Sequence, residues 1–306
     1  MGRRWLSVAA TAAATLALGA SVAILVRAGG EEPQASVDHS RGGARQEAAP
    51  TTTSAAFAPR TASAPTPSTS SLPTTTTIPG PPLVDGVAFV GDSLAENLAQ
   101  GLATAGPQRG LPVFDHSISG CGVTRSGGFR LSGVRSELSP TCAGWSDRWA
   151  AGLRRDRPKI VAIQVGRHEV LDRLYNGSWT NILDPQYRSY VRSELELGIR
   201  IARAEGAKVV LLTAPKFHRP DRPGGGQWPE NDPARVDRFN DLLRELVARD
   251  RTLALIDLGA RTSPGTAYVD VVDGVAVRSD GVHYSGAGVE WIGPWLLPQL
   301  TALLRP

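Results

Sequence analysis

Val84-Asp85-Gly86-Val87-Ala88-Phe89-Val90-Gly91-Asp92-Ser93-Leu94 is the stretch on which the fold of this chain turns. Val84 to Val90 is a short apolar run with β-branched and aromatic residues, which reads as a buried strand. Gly91-Asp92-Ser93 breaks the run, and Leu94 to Ala105 continues in an Ala/Leu-rich pattern with helical spacing. A strand that passes through a tight turn straight into a helix opens a β/α repeat, and the sequence downstream repeats it. Leu111 to Ile118 reads as a second strand, Ser119 to Gly128 as a glycine-rich loop and Trp145 to Arg155 as a helix. Ile160 to Val165 is a continuous apolar strand ending in Gly166-Arg167-His168-Glu169. A long helix is expected over Gln186 to Glu205, stopped by Gly206 as its carboxyl-terminal cap. Strand Lys208 to Leu212, a Pro/Gly-rich excursion from Ala214 to Pro229, helix Pro233 to Arg249, strand Leu253 to Ile256 and a last helix from Gly288 to Leu304 follow. Strands apolar on both faces, alternating with helices, predict an α/β domain whose parallel sheet is sandwiched between helix layers. Ligand sites of such sheets lie beyond the carboxyl ends of the strands.

This domain takes up residues 83–306, and what precedes it is different in kind. Residues 31–82 are dominated by Thr, Ser, Pro and Ala, as in TTTSAAFAPRTASAPTPSTSSLPTTTTIPGPP. So little apolar surface cannot offset the entropy of ordering, and the segment reads as a disordered, semi-stiff linker. Residues 1–30 read as a cytoplasmic stub and a transmembrane anchor: Arg3 and Arg4 precede an uncharged stretch from Trp5 to Val26, which Arg27 closes. A cleaved signal peptide is the competing reading, because Ser21-Val22-Ala23 offers a small-x-small site. The apolar run continues through Ile24, Leu25 and Val26, which favours the uncleaved anchor. Arg3 and Arg4 before the span, against Arg27, Glu31 and Glu32 after it, put the expected amino terminus in the cytoplasm and the globular domain outside. The expected location is therefore the cell membrane, single-pass, with an extracytoplasmic domain.

The formal charge is +4, from 33 Lys and Arg against 29 Asp and Glu. The basic residues are scattered and form no block interleaved with aromatics, so nucleic acid is not an expected partner. The two cysteines, Cys121 and Cys142, flank a Gly/Ser-rich stretch. In an oxidising compartment the simplest reading is one disulfide closing that loop, worth about 2–4 kcal/mol. Two buried thiols are the plainer alternative. No Cys-x-x-Cys or His-x-x-x-His pattern accompanies them, so no metal is expected.

Three places carry candidate chemistry. Ser93, between the first strand and first helix, puts a hydroxyl where backbone amides and the positive end of a helix dipole converge. Asp280-Gly281-Val282-His283 precedes the last helix, and a spacing of three lets the carboxylate turn back to hold the imidazole, leaving the other ring nitrogen free for a serine proton. Gly120, after the second strand, could present its N–H without a side chain in the way. Taken singly, each has a bland reading: Gly-Asp-Ser is a common turn, and a loop histidine is often only a surface residue. Trp145, Trp149, Trp179 and Trp228 are candidates for stacking on sugar rings, against the plainer reading of core packing. His218, in the excursion, could line the mouth of the site or be a surface residue.

In this order and placement, Gly91-Asp92-Ser93, Gly120, the Gly166 loop and Asp280-x-x-His283 resemble the four sequence blocks of the SGNH/GDSL hydrolase family, across essentially all of 83–306. The resemblance implies a flavodoxin-like three-layer α/β/α domain that hydrolyses or transfers acyl groups on lipids, glycans or small esters without a metal or other cofactor. It implies Ser93 as nucleophile, His283 as general base, Asp280 as its orienter, and the Ser93 and Gly120 amides as oxyanion donors. The third block departs from the pattern: the family's Gly-x-Asn-Asp is here Gly166-Arg167-His168-Glu169. His168 occupies the position of the Asn that donates to the oxyanion, so either His168 or Arg167 could supply that donor, or the hole has two donors only. Such a loss of Asn, together with the Cys121 and Cys142 pair, resembles SGNH domains fused to membrane acyltransferases.

The expected function is hydrolysis of an O-acyl or O-acetyl ester on a cell-envelope glycan or similar small ester, through an acyl-serine intermediate. O-acyl transfer to a cell-surface glycan is the first alternative, and a catalytically decayed glycan-binding module the second. Extended at about 3 Å per residue, the linker would carry the domain on the order of 100 Å from the bilayer, within reach of wall polymers. The sequence carries no multi-pass segment that could bring an acyl donor across the membrane, so transfer would call for a membrane acyl-donor protein as partner.

Overall fold

The computed structural model describes residues 81–125 and 127–305. The anchor expected at 1–30 and nearly all of the linker expected at 31–82 lie outside the described residues. Among the described residues no helix is long and apolar enough to cross a membrane.

The elements run in the order β1 (Val84–Gly91), α1 (Ser93–Leu102), α2 (Ala105–Gln108), β2 (Val113–Asp115), β3 (Phe129–Leu131), β4 (Val134–Ser136), α3 (Pro140–Ala143), α4 (Trp145–Asp156) and β5 (Pro158–Gln164). They continue with β6 (Asp172–Tyr175), β7 (Ser178–Thr180), α5 (Pro185–Arg203), β8 (Lys208–Leu212), α6 (Pro233–Arg249), β9 (Leu253–Ile256), α7 (Leu258–Thr262), β10 (Val271–Val272), β11 (Val275–Ala276) and α8 (Gly286–Ala302). Five strands form a sheet in the order β2-β1-β5-β8-β9, every neighbour parallel. Val87 to Val90 of β1 and Ile160 to Ala162 of β5 are fully buried, which is why these strands read as unbroken apolar runs.

Two helix layers cover the sheet. On one face α1 meets α8 with almost no clearance: a Cβ on Gly101 would stand 2.3 Å from Val289 Cγ1, and one on Gly293 would stand 3.0 Å from Leu102. On the other face α4 packs on α5, where Gly198 faces the rings of Trp149 and Trp145. Right-handed crossovers from β5 to β8 to β9 put α6 in the layer of α4 and α5. Trp145 and Trp149 are 1% and 2% exposed and lie 4.5 Å apart between ring centroids. Truncating either to Ala would cost about 3–5 kcal/mol. They are core residues, not sugar platforms.

Three differences from the sequence-based expectation have physical reasons. The expected strand Leu111 to Ile118 shrinks to Val113–Asp115, because it is an edge strand that pairs with β1 over three residues only. Beyond it the His116 and Ile118 amides still donate to the Phe89 and Gly91 carbonyls, so the chain follows β1 toward its carboxyl end. The expected helix Leu94 to Ala105 breaks after Leu102 into α1 and the short α2. The third difference is a second, antiparallel sheet of order β4-β3-β6-β7, built from two segments the sequence did not mark as strands.

Candidate active site

Ser93 opens α1 just past the end of β1 and is 8% exposed. Asp92 caps this helix, its Oδ1 accepting from the Leu94 amide at 2.9 Å. Gly91 has φ 144°, and a Cβ there would lie 1.8 Å from the Gln164 carbonyl oxygen. Only glycine lets the chain turn away from β5 at this point. The result is a hydroxyl held at a helix amino terminus.

His283 reaches it from the loop before α8. Its Nε2 is 2.9 Å from Ser93 Oγ, and its Nδ1 is 2.8 Å from Asp280 Oδ2. The Asp280 carboxylate also closes its own loop, Oδ1 accepting from the Val282 amide at 3.0 Å and the His283 amide at 2.8 Å. Partial burial works against its charge, but these amides and the imidazole outweigh burial and hold the carboxyl down at about 2. Gly281, at φ 82°, lies flat against His218, whose amide donates to the Gly281 carbonyl at 2.9 Å. The excursion after β8 thus clamps the loop that carries His283. The sequence did not predict that contact.

Gly120 stands opposite. The Cys121 amide donates to the Ile118 carbonyl at 3.1 Å, and Gly120 has φ 76°, which makes residues 118–121 a type II turn with glycine at its third position. The Gly120 N–H belongs to the central peptide of that turn and bonds to no other described residue. A Cβ on Gly120 would meet nothing within 4 Å, so the backbone angle rather than crowding calls for glycine. Cys121 and Cys142 are joined as a disulfide immediately beyond.

The loop after β5 supplies the rest. Gly166 has φ 151°, and its missing side chain leaves room for Ala214 and Phe239. Arg167 is 4% exposed, its guanidinium over the Phe217 ring at 5.3 Å with Nη1 donating to the Glu230 carbonyl at 3.4 Å. Burial lowers this guanidinium to about 10, leaving it a cation. His168 lines the crevice edge-on to Phe129. Burial first, then the nearby Arg173 and Arg167 charges, push its imidazole down to about 3, so its ring is neutral at ordinary pH. Glu169 turns inward, Oε1 accepting from the Val123 amide at 2.8 Å, and so ties this loop to the turn that carries Gly120. Asp92 lies fully buried, and burial together with the Glu169 charge raises it to about 8.

Around these groups is a crevice of about 240 Å³, reached by Ser93, Gly120, Arg167, His168 and His283 alike. Leu131, Leu171 and Val282 supply apolar lining, and Arg219 joins Arg167 among its charged lining. Leu131 comes from the second sheet, whose β3–β4 turn is fixed by the Ser132 amide donating to Glu230 Oε1 at 2.7 Å. Of the residues the sequence nominated, Ser93, Gly120, Arg167, His168 and His283 line this crevice, and Asp280 reaches it through its bond to His283. His218 contributes its backbone, its ring stacking instead on Tyr268. Trp179 lies under Arg130, and Trp228 packs on Gly133.

The comparison with known families fits this geometry. A family model described as the SGNH domain fused to AT3 domains matches residues 63–298. The chain belongs to the SGNH family. Solved structures resemble the chain at low identity. A Bacteroides fragilis protein described as an acylhydrolase superposes with a TM-score of 0.50 at 17% identity, covering 73% of this chain and 92% of that one. A carbohydrate acetylesterase family member from Sinorhizobium meliloti gives 0.48 at 13%, covering 72% and 100%. The periplasmic domain of a lipopolysaccharide acetyltransferase from Salmonella ser. Paratyphi A gives 0.46 at 13%, covering 70% and 84%. No curated protein matches the chain.

Proposed function

We propose that this SGNH chain is a serine esterase that cleaves O-acyl esters, with Ser93 as nucleophile, His283 as base and Asp280 as the group that orients it. The continuous hydrogen-bonded path from Asp280 through His283 to Ser93 at the floor of a crevice carries this reading. In the first step Ser93 Oγ bonds to the ester carbonyl carbon as its proton passes to His283 Nε2. The C–O bond to the alcohol then breaks, and His283 returns the proton to the departing oxygen. Water attacks the acyl-serine with His283 again as base, releasing the acid and restoring Ser93. The oxyanion in each half is met by the Ser93 and Gly120 amides. His168, neutral and lining the same crevice, serves as third donor through a ring N–H.

The disulfide supports an extracytoplasmic working place, since such bonds persist in oxidising compartments. There the substrate would be an acylated glycan or similar ester of the cell envelope, with the chain held by the anchor expected at 1–30. Transfer to a glycan hydroxyl, fed by a membrane acyl-donor protein, is the second reading. It is favoured by one observation, that the matching family is described through its fusion to AT3 domains. The test is turnover of p-nitrophenyl acetate. Ser93→Ala and His283→Ala should each lower it by several orders of magnitude, because the triad acts as a unit. A folded Ser93→Ala protein with near wild-type activity would overturn the assignment.

A further inference from the structure

The wall of the crevice carries more positive charge than the reaction uses. Arg167 and Arg219 both line it and lie close enough to repel one another. Arg167 has a counter-charge, since Glu230 Oε1 stands 3.9 Å from its Nη2. Asp280 is committed to His283. Arg219 is half-buried, enters no ion pair among the described residues, and its buried Nε has no hydrogen-bond partner there. Yet its backbone is held on both sides. Its amide donates to Asn231 Oδ1 at 2.9 Å, its carbonyl accepts from Asn231 Nδ2 at 2.8 Å, and Asn231 is itself 5% exposed. The preceding residue, His218, is the one that bonds to Gly281.

Holding a half-covered guanidinium beside another one costs free energy unless an anion meets it. A guanidinium fork fits a carboxylate or phosphate in a bidentate contact. The chain position of Arg219 points to the half of an ester it would touch. The departing alcohol oxygen must lie by His283 Nε2 to collect its proton, and Arg219 is on the strip of chain clamped to the His283 loop.

We propose that Arg219, with Arg167 beside it, forms an anion subsite for the alcohol half of the substrate, so that the preferred substrate is an acyl ester of an alcohol bearing a carboxylate or phosphate, as in an acidic sugar. This rests on the esterase reading above and adds a substrate class to it. The apolar residues Leu131, Leu171 and Val282 leave a small acyl group as the complementary half.

The test uses the full chain and a matched pair, 4-acetoxybenzoate and its methyl ester, which differ in the charge on the alcohol half. The ratio of their kcat/KM values is the readout, with 4-acetoxyphenyl phosphate as a second anionic arm. In Arg219→Gln this ratio should fall about tenfold or more, the scale of one charge-assisted hydrogen bond, and Arg219→Lys should keep part of it. The wild-type preference for the anion should also shrink as salt is raised. A change of less than twofold in the ratio for both anionic esters, in a variant that melts like wild type, would overturn the subsite. If one anion alone loses its advantage, the subsite stands and its ligand is that anion. If wild type cleaves none of these esters, the esterase reading fails separately. Binding of 4-acetoxybenzoate to Ser93→Ala, with and without Arg219→Gln, then decides the subsite, and equal affinity would refute it.

Discussion

Replacing Gly281 by alanine should disable the site while sparing the fold. Gly281 has φ 82°, and a Cβ built there would stand 1.7 Å from the His218 carbonyl oxygen and 2.8 Å from its carbon. Both obstacles are backbone, so no side-chain rotation relieves them. Real Cβ atoms essentially never come nearer than 3.0 Å, so the Asp280–His283 loop must retreat from His218 by about 1.3 Å or more. The Ser93 to His283 hydrogen bond has a length of 2.9 Å, and a shift of that size breaks it. Misplacing a catalytic group by about 1 Å costs on the order of 100-fold in rate. The left-handed backbone and the residual crowding should together cost about 1–3 kcal/mol, which a domain of this size survives with a Tm lowered by roughly 2–10 °C. Gly274→Ala is the control, since Gly274 has φ 77° but open space around it, and so isolates the dihedral cost. The measurement is kcat on p-nitrophenyl acetate, with a thermal melt of each variant. Gly281→Ala should lose about 100-fold in kcat with a cooperative melt, while Gly274→Ala keeps its kcat. A Gly281→Ala enzyme within threefold of wild type would refute the reasoning.

Two further outcomes follow from the same contacts. Replacing Cys121 and Cys142 by serine should lower stability by about 3 kcal/mol in chemical denaturation, the entropy of closing a loop of this length; an unchanged midpoint would show that the bond does not form. His168 is held down to about 3 in the fold, whereas an unfolded histidine titrates near about 6.5. Between those values the unfolded chain carries the extra proton, so stability should fall as pH drops from about 6.5 toward 3. His168→Asn should flatten that slope, and an unaltered slope would refute the assignment.

The parallel sheet was legible because its strands are buried on both faces, and burial on both faces writes an unbroken apolar run into the sequence. The strand Leu253–Ile256 and the helix Pro233–Arg249 follow the expected limits, the helix because Asp232 caps it and Pro233 opens it. The second sheet was hidden for the opposite reason. Its strands are three or four residues long and contain Arg130, Arg135 and Arg173, so no alternation survives to be read. Among the chemistry-bearing residues, Ser93, Gly120, Asp280 and His283 were legible from residue type and order, each at a turn after a strand or before a helix. Arg219 was not. Nothing in Phe217-His218-Arg219-Pro220 marks it, and its place in the crevice depends on long-range bonds to Asn231 and Gly281 that local sequence cannot express. The Glu169 contact to Val123 was hidden in the same way, since 46 residues separate the partners.

The central claim is that Ser93 becomes covalently acylated. Incubating the protein with a fluorophosphonate, which traps an activated serine, and then reading its intact mass and its peptides tests this most directly. The account predicts one adduct per chain, on the peptide containing Ser93, and its loss in both Ser93→Ala and His283→Ala. A folded wild-type protein that takes up no label, or a label that persists undiminished in Ser93→Ala, would contradict it.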